Sequence, residues 1–121
     1  MFSLLLQFAV ATAVTSPANQ HITATVNSNV SLTCTTQTTD LERIRWRVDR
    51  FEEHLRHFVV LFNSYKVNPK YPRVTVKADG VTERSVLTIH DLQYDDAGKY
   101  WCDVSTETGH ITNNFTLTVV G

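Results

Sequence analysis

Beyond its N-terminus the sequence has no apolar run long enough to cross a bilayer, which takes about 20 residues of helix. It has no excess of either charge. Eleven Lys and Arg face twelve Asp and Glu, for a formal net charge of −1. A nucleic-acid binder would carry a concentrated basic field, and a polybasic membrane-surface module a cluster of cations. The balance speaks against both. Glycine and proline are scarce, at four and three, while Thr is abundant, a composition that leans toward strands. No internal repeat, heptad, low-complexity tract or glycine-rich phosphate loop occurs. There are only two cysteines, Cys34 and Cys102, so one intrachain pairing is possible.

What is present fits one domain. A chain of 121 residues can bury a core but is too short for two ordinary domains. Residues 1–10 are an apolar stretch that runs into Ala11-Thr12-Ala13, a small-x-small site. Residues 1–13 are therefore expected to be a secretory signal peptide, although no basic residue precedes the apolar stretch. A secreted chain meets an oxidising lumen, where Cys34 and Cys102 should pair. The expected location is secreted or on the extracellular face of the plasma membrane.

After residue 20 the pattern has period two. Ile22, Ala24 and Val26 alternate with Thr23 and Thr25, and Val30, Leu32 and Cys34 with Ser31 and Thr33. Ile44, Trp46 and Val48 alternate with Arg43, Arg45 and Arg47. Tyr100, Cys102 and Val104 alternate with Trp101 and Asp103, and Phe115, Leu117 and Val119 end the series. Each run predicts a strand with one buried face. Turn residues separate the runs: Asn27-Ser28-Asn29, Asp79-Gly80, Asp95-Asp96-Ala97-Gly98, and the stretch from Thr106 to Gly109. Residues 50–56 are charged and read as a loop with one helical turn. Many short strands at regular spacing imply a two-sheet sandwich.

Particular residues narrow the fold. Trp46 follows Cys34 by twelve positions, and Asp96-Ala97-Gly98-Lys99-Tyr100-Trp101-Cys102 leads into the second cysteine. This run resembles the Asp-x-Gly-x-Tyr-x-Cys signature of immunoglobulin domains, and the Cys-Trp-Cys order resembles their framework. The resemblance covers residues 18–120. It implies an all-β, immunoglobulin-like V-type Greek-key β-sandwich of two antiparallel sheets. It also implies a Cys34–Cys102 disulfide beside Trp46, a tyrosine corner at Tyr100, and an ion pair between Arg73 and Asp96. The interval between the cysteines leaves room for the extra strands C′ and C″ of a V-type domain, near residues 58–62 and 65–67. Residues 109–115 lack the Phe/Trp-Gly-x-Gly stretch of rearranged antigen receptors. The chain therefore resembles an innate-type receptor or an adhesion molecule. Its Gly98–Cys102 run is similar to V domains of the polymeric-immunoglobulin-receptor-like group, many of which have a further cysteine pair that this chain lacks.

Parity then points to a working surface. If Tyr100 and Cys102 face in, Trp101 and Asp103 face out, as do Arg45 and Arg47 on the neighbouring strand. V-type domains commonly meet partners on this GFCC′ face, and an exposed Trp among Arg residues is the composition of an interface hot spot. Arg45, Arg47, Trp101 and Asp103 are the expected partner-binding residues, for a protein ligand or for self-association. A homophilic adhesion module is the alternative to a recognition module. Two sequons, at Asn29 and Asn114, are candidate glycosylation sites. A glycan on Asn114 would stand on or beside the partner face. No catalytic residue, metal site or cofactor is expected. His54 and His57 follow Glu52-Glu53, but an i,i+3 pair converges only on a helix, and no further ligand set accompanies it.

Overall fold

In the computed structural model, residues 19–35, 41–52, 55–63, 66–79, 84–106 and 109–121 are described. They form nine strands in two sheets. The strands are β1 (Gln20–Thr25), β2 (Val30–Thr35), β3 (Leu41–Glu52), β4 (Leu55–Asn63) and β5 (Lys66–Val67). They continue as β6 (Val74–Asp79), β7 (Arg84–Ile89), β8 (Gly98–Thr106) and β9 (Gly109–Val120). One sheet has the order β1-β9-β8-β3-β4-β5, the other β2-β7-β6. Pairing is antiparallel throughout except that β1 runs parallel to β9. The expected signal peptide at 1–13 lies outside the described residues, as do Gly80 in its predicted turn and the centre of the stretch from Thr106 to Gly109.

The core lies between the sheets and follows the predicted parity. Leu32, Cys34, Trp46, Leu87, Tyr100, Cys102 and Val104 are fully buried. Cys34 in the small sheet is bonded to Cys102 in the large one, across 68 positions of sequence. Trp46 lies opposite Cys102 on the neighbouring strand and stacks at a tilt on Phe115, 5.5 Å between centroids. Its indole N–H donates to the Ser85 hydroxyl at 2.8 Å. That bond satisfies two polar groups that would otherwise be costly to bury.

The turn at 27–29 differs in kind from a hairpin, because it carries the chain from one sheet to the other. Asn27 adopts the left-handed conformation (φ 72°) that Asn tolerates better than most residues. Its N–H donates to the Leu92 carbonyl, and the Leu92 N–H donates back to the Ser28 carbonyl. The crossover is thus tied to the corner before β8. At that corner Tyr94–Asp96 form one 3-10 turn. The Tyr100 hydroxyl donates to the Asp96 carbonyl at 2.6 Å, so the tyrosine clips the corner to its own strand.

Two local expectations are corrected. Residues 50–52 and 55–56 are strand, since the β3–β4 ladder continues to Glu52 opposite Leu55. A lone helical turn must fix several residues for one hydrogen bond, whereas each added ladder pair extends a sheet already formed. Likewise Thr106, Gly109 and His110 belong to β8 and β9, with Thr106 opposite Gly109.

Candidate functional site

The outward face of the large sheet is best described in rows across the strands. In one row Asn114 on β9 lies opposite Trp101 on β8, Trp101 opposite Arg47 on β3, and Arg47 opposite Val60 on β4. In the next, Thr112, Asp103, Arg45, Asn63 and Lys66 follow one another from β9 to β5. Period-two alternation with pairing between strands is enough to gather these side chains on one surface.

A bulge decides what β4 contributes. Trp46 pairs with Phe62 but Arg47 pairs with Val60, so Leu61 is an extra residue with no opposite number. Leu61 and Phe62 are consequently both buried, while Phe58 and Val60 face solvent. Phe58 is 57% exposed and Val60 38% exposed, on a strand that β5 covers only at Phe62 and Asn63.

Around them the four predicted partner-face residues come together, but Trp101, expected to be exposed, is half-buried against Arg47 and Phe58. The Arg47 guanidinium lies 4.8 Å from the centroids of both Phe58 and Trp101. Those two rings meet edge to face, with 5.1 Å between centroids. The cation thus lies against two π systems, each attracting it through the ring quadrupole. The same guanidinium donates to Asp103 at 2.8 Å, and Arg45 donates to the same carboxylate at 3.2 Å. The Thr112 hydroxyl adds a third donor at 3.0 Å. Rotamers of four large side chains are fixed in this way before any partner arrives, which lowers the ordering cost of binding.

Burial alone would push the Asp103 carboxyl up. The hydrogen bonds from Arg47, Thr112 and Arg45 and the charge of Arg47 outweigh it, and the group is held below its usual range. A depressed folded value stabilises the fold above the unfolded value of about 3.9 and loses that contribution as pH falls through the folded one. The melting difference between wild type and Asp103→Asn should therefore stay constant from about pH 7 to pH 5 and shrink only below about pH 4. A difference that shrinks near pH 6 would mean that Asp103 is not held by these donors.

The predicted Arg73–Asp96 pair lies far from this face, at the base of the sandwich. It is bidentate, at 2.7 and 3.0 Å, and Asp96 also accepts from the Gln93 N–H at 2.8 Å. The hydrogen bond to Asp96 raises the already high Arg73 value, against the opposing effect of burial. Asp96 is buried and its partner is half outside, which is the geometry of a structural clamp.

The Immunoglobulin V-set domain family model matches residues 17–120. The chain is a V-set immunoglobulin domain. Over 95 residues it is 26% identical to the CD226 antigen of Macaca mulatta, covering 77% of this chain and 28% of that protein. The V-set domain thus spans less than a third of the length of that relative. It is also similar in structure to the second Ig domain of the mouse polymeric immunoglobulin receptor. There the TM-score is 0.68 at 20% identity, over 85% of this chain and 97% of that one. At that identity the likeness concerns the fold.

Within the V-set frame β9, β8, β3 and β4 are strands G, F, C and C′, and β5 stands as C″. Sequence reasoning placed Arg45, Arg47, Trp101 and Asp103 on one face but missed Phe58 and Val60. The run 58–62 is apolar at every position, so alternation carried no sign there; only the register across the bulge assigns each residue a side. The buried polar residue Asn113 was missed too. Its amide donates to the Cys34 sulfur at 3.2 Å, beside the disulfide. Of the sequon residues, Asn29 is exposed at the crossover, and its side-chain oxygen accepts from the Asp91 N–H at 3.0 Å. A glycan would attach to the other atom of that amide and leave the bond in place. Asn114 is half-buried next to Trp101. His54 lies outside the described residues, and among the described residues no three His, Cys, Asp or Glu side chains gather as a metal site would need.

Proposed function

We propose that this V-set domain is an extracellular recognition module that binds a protein partner through the outward face of its large sheet. The observation that carries this reading is the preset Phe58–Arg47–Trp101 cluster on an exposed sheet surface. Aromatic residues and Arg at the centre of a polar surround are the composition of binding hot spots. Family membership and the similarity to CD226 antigen support the extracellular setting. In that setting residues 1–13 serve as a signal peptide, and Asn29 and Asn114 carry glycans. A glycan on Asn114 would cover the β9 side of the face and leave contact to the β3–β4 side, where Phe58 and Val60 stand.

The test is binding of the multimerised, glycosylated domain to an array of defined ectodomains. Phe58→Ala, and separately Trp101→Ala with Arg45→Ala, should each weaken binding by about 30-fold, the loss of one hot spot. The melt should move by only a few degrees, because these side chains lie outside the core. Unaltered binding would move the contact to the loops at the end of the sandwich. Homophilic adhesion is the second reading, favoured by the exposure of Phe58 and Val60. Sedimentation across concentration separates the two, since an adhesive domain would form a dimer that Trp101→Ala dissolves.

A further inference from the structure

Among the described residues, the outward face of the large sheet holds more basic than acidic side chains. Arg43, Arg45, Arg47, Lys66 and Lys99 all share the parity or register of that face. All but Arg47 are exposed. Opposing them among the described side chains are Asp49 and Asp103, both half-buried. Asp103 is already engaged by Arg45, Arg47 and Thr112, so its charge is spent within the surface. Among the other described acidic side chains, Asp91 and Asp95 are exposed near the Arg73–Asp96 base, away from this face. The result is a basic rim around an apolar centre made by Phe58, Val60 and Trp101.

We infer that the partner of this face is an acidic protein surface, one that sets carboxylates opposite Arg43, Lys66 and Lys99 around an apolar contact on Phe58. This rests on the face proposed above and adds the partner's chemistry. Complementary potential steers encounter and suppresses wrong partners, while the apolar centre holds the complex once formed. The same charges oppose a face-to-face pairing of two copies, which would bring like rims together. A bare polyanion satisfies the rim but offers nothing apolar to Phe58 and Val60, so a glycan or nucleic acid fits less well than a protein.

The experiment uses the glycosylated domain against the same array of ectodomains, with heparin, sialylated glycans and the domain itself spotted beside them. Array hits are measured against wild type, a rim variant (Arg43→Glu with Lys66→Glu) and a centre variant (Phe58→Ala). The expected hit is a protein with an acidic contact surface. Its association rate should fall about tenfold or more with the rim variant, with little change in dissociation. Raising salt from about 0.1 M to about 1 M, which shortens the Debye length from about 10 Å to about 3 Å, should slow wild-type association similarly. Phe58→Ala should instead speed dissociation. Binding lost with Phe58→Ala but untouched by the rim variant and by salt would overturn the acidic partner and leave the face reading standing. Equal binding to the spotted polyanions, or to the domain itself, would also overturn it. No protein hit, or hits indifferent to both variants, would overturn the face reading along with it.

Discussion

Replacing both cysteines, Cys34→Ser with Cys102→Ser, is expected to destabilise the domain by about 4 kcal/mol. The bond closes a loop across 68 sequence positions, and releasing it restores that loop's freedom to the unfolded chain. Both sulfurs are fully buried between the sheets, so two serine hydroxyls would also be set into an apolar layer. Asn113 adds to the cost, because its amide donates to the Cys34 sulfur and would need a new acceptor. Against a total of roughly 5–15 kcal/mol for a domain of this size, such a loss leaves little margin. Urea unfolding of the double variant, compared with wild type at equal slope, measures it. A midpoint unchanged from wild type would remove the disulfide from the account of stability.

Trp46→Ala is expected to cost a further class of contact, roughly 3–5 kcal/mol. The indole is fully buried, opposite Cys102, and its ring lies against Phe115. Removing it leaves a cavity between two sheets, each kept rigid by its own hydrogen-bonded ladders, so the void cannot easily collapse. It also strands the Ser85 hydroxyl, which accepts from the indole N–H and is itself fully buried. Trp46→Phe keeps most of the ring volume and loses mainly that hydrogen bond, so its cost should be well under half. Thermal unfolding followed by circular dichroism orders the three proteins as wild type, Trp46→Phe, Trp46→Ala. Equal melts for the two variants would mean that the lost hydrogen bond, and not the cavity, dominates.

Much of this was legible in advance because strands report their burial directly. Around Cys34, Trp46 and Cys102 the apolar positions alternate cleanly, and the buried residues are those that alternation selects. Tyr100 and Asp96 carry a motif whose spacing reflects one piece of geometry, the corner that the tyrosine hydroxyl closes. The legible parts depend on neighbours close in sequence or on strong local patterns.

The less legible parts depend on register. Residues 50–56 read as a loop because their composition is polar, but at 50–52 and 55–56 the pairing of β3 with β4 outweighs weak local preference. Residues 58–62 have no polar member to mark a face, and a single bulge sends Leu61 inward with Phe62.

The sequence by itself determined a two-sheet strand pattern, the buried positions around Cys34, Trp46 and Cys102, and a shared surface for Arg45, Arg47, Trp101 and Asp103, while its resemblance to immunoglobulin domains implied the V-type sandwich. The strand pattern and the shared surface follow from side-chain period, a property of single strands; the V-type fold follows from the resemblance carried by the motif residues. Only the tertiary structure decided that Phe58 joins that surface, that Arg47 lies between two rings, and that the cations ring an apolar centre. Those facts belong to the lateral pairing of strands distant in the chain, where one extra residue in β4 changes which side chains meet.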